Sequence, residues 1–372
     1  WMLLLGPVAY IAWTTRVDLS IRYRPNDLVV HRAFVAWARN RLAEGHLPLD
    51  GWFPYLSGGS PAFHQYQSLG HQVLALMEYL SGTHDTVVFS MWILLSAWPL
   101  GVYLATRIIG ASDWESTLAG MVSLLPIAVP GLGYELRSYL EQGVWAQLLA
   151  MWLLPLALAV TFRAVTEGRW YGRSVFLSAL CVAIHFPTGF LLLAVLGLMV
   201  LLRPSEIRCR LPRVIGIGAG TIMAASFTIV PLVEDQRFIG VSEEVKGSYL
   251  ANSYGGRQVL SWLARGAIFD ERRAPVLSIF VLVGLAVALL EARHSERHRL
   301  VLLLGVTSML LFSGRSVVGP ALRWLPGAGD LQLNRYLIGV QLAGILLAGL
   351  ALYTLGVVVH PLLGKVGIAR WL

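Results

Sequence analysis

Long apolar runs alternate with short polar connections along the chain, and this alternation predicts membrane-spanning helices. Each run is bounded by charged residues or by Gly and Pro, and a helix needs roughly twenty residues to cross a bilayer. We place spans at about 1–14, 87–107, 116–134, 144–163, 214–233, 275–291, 299–313 and 336–358. The first run, Trp1 to Thr14, is short for a span, so we expect further residues upstream of Trp1.

One further apolar stretch, 174–202, is interrupted at its middle by the sequence His-Phe-Pro-Thr-Gly at 185–189. It is either one long kinked helix or two short helices joined at this break. The flanking connections, 163–173 and 203–213, carry seven arginines. Basic residues concentrate in cytoplasmic loops, so both connections stay inside only if the stretch crosses out and back. We therefore predict two short helices here, ten spans in all, and a break near the outer face that lines a cavity.

This topology makes the chain an all-α polytopic membrane protein with both termini in the cytoplasm. The substantial extracytoplasmic loops are 15–86, 234–274 and 314–335, with a short one at 134–143. No separate soluble domain is visible, so residues 1–372 read as a single transmembrane domain. The charge asymmetry predicts residence in the cell inner (plasma) membrane.

Composition agrees with the pattern. Hydrophobic residues make up 56% of the chain, charged residues only 13%, and the mean hydropathy is +0.65, whereas a soluble protein would carry nearer a quarter charged residues. The net charge of +8 sits mostly beside apolar runs, which favours a topological role over nucleic-acid binding. Cys181 lies in an apolar run and Cys209 in an arginine-rich loop, so we expect no disulfide.

The first outer loop begins with a predicted amphipathic helix. Asn26 can cap a helix that starts at Asp27 and carries interleaved apolar and basic residues, a pattern suited to the membrane interface. Asp27 and His31 are four residues apart and share one helix face, and the helix dipole keeps an acid in the first turn ionised. The alternative is that Asp27 only caps the helix and His31 only fills the interface.

Aromatic residues crowd the irregular part of the same loop, before a second amphipathic helix that runs to Leu80. They are either belt residues at the headgroup level or the wall of a binding site. We name as wall candidates Trp52, Tyr55, His64 and Tyr66.

Other ionisable residues lie near predicted outer ends of spans. His185 falls within an apolar stretch, and such a residue is either functional or bonded to a carbonyl freed by Pro187. Arg137 and Arg335 could clamp a phosphate through paired N–H groups, or remain solvated or bound to lipid headgroups. The chain contains no Walker motif, no zinc spacing and no GxSxG elbow.

The order of these features resembles the GT-C superfamily of membrane glycosyltransferases. A first span, "ND…H", a helix ending in Glu44-Gly45, and "HLPLDGWFPYLSGGSPAFHQYQ" precede the second span. The closest resemblance is to the bacterial branch loosely called pyruvoyl-tetrahydropterin-synthase-related or YfhO-like membrane proteins. "IHFPTGF" at 184–190 and "LNRYLIGVQLAGILLAGLAL" at 333–352 add to it.

The resemblance implies an inverting transferase that takes a sugar from a polyprenyl-phosphate donor on the outer face. Asp27 would be the general base, with His31 beside it, and Arg335 and Arg137 would bind the donor phosphate. Some relatives use a divalent metal, for which Glu135 and Glu141 are the candidates here.

Departures from the family pattern leave a second reading open. The acid motif is a single Asp, with Asp18 and Asp50 as competitors, and the C-terminal soluble domain is missing. The alternative is a non-catalytic GT-C-like subunit that binds lipid or a membrane protein complex.

Overall fold

The computed structural model describes residues 1–20, 26–55, 58–129, 131–238, 245, 247–322 and 331–365. Parts of the predicted outer loops 15–86, 234–274 and 314–335, and the end of the tail, lie outside the described residues. Within them the architecture is helical, and β-structure is limited to isolated bridges between Phe53 and Ser60 and between Ile127 and Asp270. The all-α prediction is therefore confirmed for the described part of the chain.

The helices are, in chain order, α1 (Leu5–Thr15), α2 (Asp27–Ala43), α3 (Ala62–Gln65), α4 (Leu69–Ser81), α5 (Thr86–Ile108), α6 (Asp113–Val122), α7 (Leu136–Gln142), α8 (Trp145–Glu167), α9 (Tyr171–Ile184), α10 (Phe186–Leu198), α11 (Ile207–Ala224), α12 (Ser226–Glu234), α13 (Tyr249–Asn252), α14 (Gly256–Ala264), α15 (Val276–Glu291), α16 (Glu296–Phe312), α17 (Arg315–Leu322) and α18 (Leu337–Lys365).

Three helical segments in the described residues are long and apolar enough to cross a membrane, as expected of a polytopic membrane protein. They are Thr86–Ile108, Trp145–Glu167 and Leu333–Val359. The number rises to five if each of two sharply bent helix pairs is one span: Phe186–Leu202 with Pro204–Ala224, bent by 95°, and Glu296–Phe312 with Arg315–Leu322, bent by 102°. Helix length and composition thus support fewer spans than the ten that the sequence predicts.

The predicted span 116–134 differs from the structure. Helix α6 ends at Val122, and the chain continues as an irregular segment that pairs with residues 267–271. The amide N–H of Ile127 donates to the Phe269 carbonyl at 3.0 Å, and that of Val129 donates to the Ala267 carbonyl at 3.1 Å. Backbone groups committed to these partners cannot continue a helix, so the prediction of one continuous helix here was wrong.

The stretch 174–202 forms two helices that fold back on each other, as the arginine distribution predicts. Helix α9 ends at Ile184, His185 is extended, and α10 begins at Phe186. A Cβ atom on Gly189 would lie 2.6 Å from the Cα of Val182. Only glycine allows this approach between the two helices.

Helix α18 forms the centre of the bundle and packs against α6, α15 and α16. Its faces toward α6 and α15 carry close backbone contacts: a Cβ on Gly349 would lie 2.7 Å from the Cβ of Ala119, and one on Gly284 would lie 1.9 Å from the Leu347 carbonyl oxygen. Small residues permit such contacts where lipid supplies no hydrophobic drive between helices. Helix α8 packs between α5 and α9, and its first residue faces the candidate site.

Candidate functional site

The N-terminus of α2 is fixed in place by Asn26. The Asn26 Oδ1 accepts from the Leu28 N–H at 3.1 Å, which confirms the predicted cap. The Asn26 Nδ2 also donates to the Glu141 carbonyl at 2.9 Å, across 115 residues of sequence. This bond ties the start of α2 to the last turn of α7 and sets the position of Asp27. The Asp27 side chain is exposed, with no hydrogen bond or ion pair to the described residues.

His31 lies on the buried face of α2 and bonds directly to His71 of α4. The distance from His31 Nδ1 to His71 Nε2 is 2.9 Å, and the rings stack with centroids 5.2 Å apart. Burial lowers the pKa of His31 to about 4, and burial together with the charge of His31 places the pKa of His71 well below its ordinary value. One nitrogen of the pair donates and the other accepts, so both rings are neutral near pH 7. His31 is therefore not an interfacial filler.

Aromatic rings enclose the two histidines. The centroid of Trp145 lies 5.8 Å from that of His31 and 5.1 Å from that of His71, and the centroid of Tyr66 lies 6.3 and 5.7 Å from them. Burial raises the pKa of Tyr66 to about 12, an effect that Arg335 opposes and Asp27 increases. These influences show that Tyr66, Asp27 and Arg335 share one electrostatic environment.

Arg335 reaches this environment from the segment just before α18. Its Nε donates to the Oε1 of Gln332 at 3.0 Å, and its Nη1 donates to the Oε1 of Gln147 at 2.8 Å. Gln147 is fixed in turn because its Nε2 donates to the Leu132 carbonyl at 2.7 Å. Among the described residues Arg335 has no carboxylate partner, although it is partly withdrawn from solvent. A guanidinium held by neutral amides keeps its full charge available for an anion.

The break in 174–202 also reaches this region. His185 is buried, and its Nδ1 lies 2.8 Å from the Thr188 hydroxyl oxygen rather than from a carbonyl freed by Pro187. Helix α10, which follows His185, packs against the segment that carries Arg335, and the ring centroid of Phe190 lies 6.1 Å from that of Tyr336. The structure therefore brings the first outer loop, the break and the start of α18 together, although each lies far from the others in sequence.

Three of the predicted wall residues lie elsewhere. Trp52 and Tyr55 are 62% and 68% exposed. His64 is held between two acids: its Nδ1 lies 2.9 Å from an Asp235 carboxylate oxygen and its Nε2 lies 3.3 Å from one of Asp50. Of the four predicted wall residues, Tyr66 contacts the histidine pair, and the structure does not bring Trp52, Tyr55 and His64 to it.

The short outer loop contributes structural contacts. Arg137 and Glu141 form an exposed pair, with Nε to Oε1 at 2.8 Å. Glu135 is buried and accepts from the backbone N–H groups of Ala128 and Gly133 at 3.1 and 3.3 Å. Burial raises the pKa of the Glu135 carboxyl, while these N–H groups lower it.

A divalent metal does not fit the candidates Glu135 and Glu141. Glu135 uses its two oxygens to hold the 128–133 backbone, and Glu141 pairs with Arg137. In the described ranges no three His, Cys, Asp or Glu residues are grouped closely enough to hold a metal ion. We assign no metal to either residue.

Sequence reasoning missed His71, Trp145, Gln147 and Gln332. For His71 a signal was present, because it falls on the buried stripe of α4 with Leu74, Ala75 and Glu78. A histidine at helical spacing with apolar residues faces the protein, where it requires a polar partner. The two glutamines carry no such signal, since their importance depends on Arg335 reaching them.

A family model described as a family of unknown function, DUF6541, matches residues 25–370. The chain belongs to this family. The match spans every site residue described above, from Asp27 to Arg335. A search of curated proteins finds no match to the chain. The family description names no activity, so the function has to be inferred from the site.

Proposed function

We propose that this protein is an inverting membrane glycosyltransferase of the GT-C type, which moves a sugar from a polyprenyl-phosphate donor to an acceptor hydroxyl. One observation carries the proposal: Arg335 is partly buried, its partners among the described residues are the amides of Gln332 and Gln147, and it lies in the same electrostatic environment as Asp27. A buried cation without a carboxylate partner is costly unless an anion binds there. A lipid-linked phosphate is an anion of the right chemistry.

In this proposal Asp27 is the general base. Its carboxylate accepts the proton of the acceptor hydroxyl as the hydroxyl oxygen attacks the anomeric carbon. The bond from that carbon to the phosphate oxygen breaks, the configuration inverts, and the phosphate leaves with the bonding electrons. Arg335 stabilises the negative charge that develops on the leaving phosphate. The position of Asp27 in the first turn of α2 favours its ionised form.

Because both histidines are neutral, neither of them forms an ion pair with the Asp27 carboxylate. A protonated His31 would sit four residues from Asp27 and would attract its carboxylate directly. Burial by Tyr66 and Trp145 holds both rings uncharged instead. His31 is therefore a positioning residue that shapes the site, and Asp27 is left to take the proton.

We extend the proposal to topology. In this topology the two bent pairs and the short apolar helices α9 and α15 would supply further crossings beside the three long helices. The N- and C-termini would face the cytoplasm, and the site would face outward in the plasma membrane. Support comes from the arginine-rich connections 163–173 and 203–213, which would then lie inside.

The test of this function is Asp27→Asn in the purified full chain, reconstituted with polyprenyl-phosphate sugars. The substitution removes the base and keeps the size of the side chain, so transfer should fall at least about 100-fold. Asp50→Asn is the matched control, because Asp50 is an exposed acid of the same loop whose contact is His64. Normal turnover in Asp27→Asn with a donor that the wild type uses would refute the assignment.

A second candidate function is a non-catalytic subunit with the same scaffold. The observation that favours it is the aromatic enclosure of His31 and His71, which leaves the histidine pair closed to solvent. A subunit of this kind would bind polyprenyl phosphate without transferring sugar. Binding that persists in wild type with every donor tested, and never leads to transfer, would favour this alternative.

A further inference from the structure

A second polar site lies beside α2 and α4, toward the end of α4, and is formed by side chains other than the histidine pair. A cavity of about 310 Å³ opens between α2, the end of α4 and the start of α5. Its charged lining residues are Arg32, Arg39, Glu78 and Asp85, and the ring of His84 lies beside them. This volume is at the small end of the range for ligand sites, so it suits a headgroup rather than a large molecule.

The four charges are balanced and arranged in two pairs. Arg32 contacts Asp85 directly, and Arg39 Nη1 lies 3.7 Å from Glu78 Oε2. The cavity between α2 and α5 stays open although both pairs are formed. The side chains of Arg32, Arg39 and Asp85 are 28%, 24% and 54% exposed. The exposed pair of Arg32 and Asp85 contributes little to stability, so the fold has no strong need for it.

The buried member of the set has a fixed position. Glu78 is 5% exposed, and its Oε1 accepts from both the N–H and the hydroxyl of Thr86 at 3.1 and 2.9 Å. This holds the carboxylate at the first residue of α5 and leaves Oε2 directed toward Arg39. The site therefore contains one rigid acid and one exposed acid, Asp85, with two guanidinium groups between α2 and α5.

The cavity lies at the start of a candidate membrane-spanning helix, which indicates that it faces lipid headgroups. Helix α5, Thr86–Ile108, is long and apolar enough to cross a membrane, and His84 and Asp85 immediately precede it. The ends of such helices lie at the level of lipid headgroups. The cavity wall on α2 includes Ala33 and Ala36, whose small side chains leave room and provide an apolar surface for the glycerol end of a lipid.

From this charge pattern and position we propose that the cavity binds the zwitterionic headgroup of an aminophospholipid. The phosphate would lie against Arg39 and Arg32, and the primary ammonium would donate to Asp85 and to the Oε2 of Glu78, the oxygen that faces Arg39. A lone phosphate would be opposed by the two carboxylates, and a lone cation by the two guanidinium groups. A ligand with both charges satisfies all four side chains. This site is separate from Asp27 and Arg335, and the inference does not rest on the transferase proposal.

The experiment uses the full-length purified protein in detergent, with dioleoyl phosphatidylethanolamine, phosphatidylcholine or phosphatidylglycerol added in turn. Thermal stability and native mass spectrometry report binding. We expect phosphatidylethanolamine to raise the unfolding temperature and to be retained. Phosphatidylcholine, whose ammonium has no N–H, and phosphatidylglycerol, which has no amine, should bind at least about tenfold more weakly. Equal binding of phosphatidylglycerol would overturn the proposal.

Two variants locate the site. Arg39→Gln and Asp85→Asn should each weaken phosphatidylethanolamine binding about tenfold, because each removes one charge-assisted contact. Arg41→Gln is the matched control on the same helix; Arg41 pairs with Glu44 and does not line the cavity, so its variant should bind as the wild type does. Unchanged binding in both cavity variants would overturn the assignment.

A further arm distinguishes a lipid from a free metabolite. O-phosphoethanolamine carries the same two charged groups without acyl chains. If the site takes a membrane lipid, this soluble compound should raise the unfolding temperature much less than the lipid does at equal concentration. Equal stabilisation by the soluble compound would overturn the assignment to a lipid.

Discussion

Arg210 and Arg335 differ in the partners that the fold provides. Arg210 is 2% exposed, and its Nη2 donates to Glu206 at 2.7 Å and to Glu296 at 2.9 Å. Arg335 donates to the neutral amides of Gln332 and Gln147. Both guanidinium groups are hydrogen-bonded, but only the first is neutralised within the described part of the protein. The difference separates a charge used to hold helices α11 and α16 together from a charge available to a ligand.

The largest expected effect of a single substitution tests the structural side of this comparison. Arg210→Ala removes the buried cation between Glu206 and Glu296 and leaves only the more exposed Arg203 beside them among the described residues, and we expect a loss of about 3 kcal/mol in the free energy of unfolding. Thermal or denaturant unfolding in detergent measures it. Arg208→Ala on the same helix removes an exposed arginine and should change stability by less than about 0.5 kcal/mol. Equal, small effects of the two variants would remove the distinction between Arg210 and Arg335.

The next prediction concerns Arg335. Without ligand, Arg335→Gln should change the free energy of unfolding by less than about 1 kcal/mol, because no carboxylate loses its partner. Polyprenyl phosphate at about 100 times its dissociation constant should stabilise the wild type by about 2.7 kcal/mol, and this gain should disappear in the variant. Unfolding temperatures with and without the lipid measure both effects.

Arg137→Gln is the matched control for this experiment. Arg137 is exposed and already paired with Glu141, so its variant should respond to polyprenyl phosphate as the wild type does. If Arg335→Gln keeps the stabilisation and Arg137→Gln loses it, the phosphate binds at the outer loop instead.

The last prediction is a pH series and concerns the neutral histidine pair. The pKa of His31 is about 4 and that of His71 lies well below 6.5, so the unfolded chain binds protons that the folded protein excludes. Stability should therefore be complete above pH 6.5 and decrease as the pH falls toward 4, by up to about 1.4 kcal/mol per pH unit for each histidine. Unfolding measured between pH 7.5 and 4.5 should show this slope.

Substitution separates this pair from other histidines. His71→Gln removes one titrating group and should flatten the pH dependence, whereas His46→Gln, at an exposed position, should leave it unchanged. If the free energy of unfolding of the wild type stays constant from pH 7 to 4.5, protonation of the pair does not destabilise the fold and the prediction is wrong.

The helices that the sequence predicts best are those with strong local signals. The spans 87–107, 144–163 and 336–358 correspond to α5, α8 and α18 within a few residues at most ends, because a long apolar run specifies a helix wherever it lies. The Asn26 cap was equally predictable, since a capping side chain acts only on the first turn. The count of ten spans was not confirmed, because several apolar runs are divided by bends or loops that depend on distant partners.

The candidate site could be predicted only in part. Asp27, His31, His185 and Arg335 were identified from residue type and position, but the wall residues Trp52, Tyr55 and His64 face elsewhere. The exposure of Trp52 and the burial of Phe53 follow from how the loop packs on α2. The sequence alone does not show which of two adjacent aromatic residues is buried and which is exposed.

The sequence by itself determined the class of protein, its long apolar helices, the two-helix form of 174–202 and several ionisable residues of the candidate site. Hydropathy, charge distribution and capping act over a few turns of chain, so they can be read without contacts. Only the tertiary structure decided that His31 bonds to His71, 40 residues away, and that Arg335 bonds to Gln147, 188 residues away. These partners follow from how the helices pack, and they determine which charges are neutralised and which one is left for a ligand.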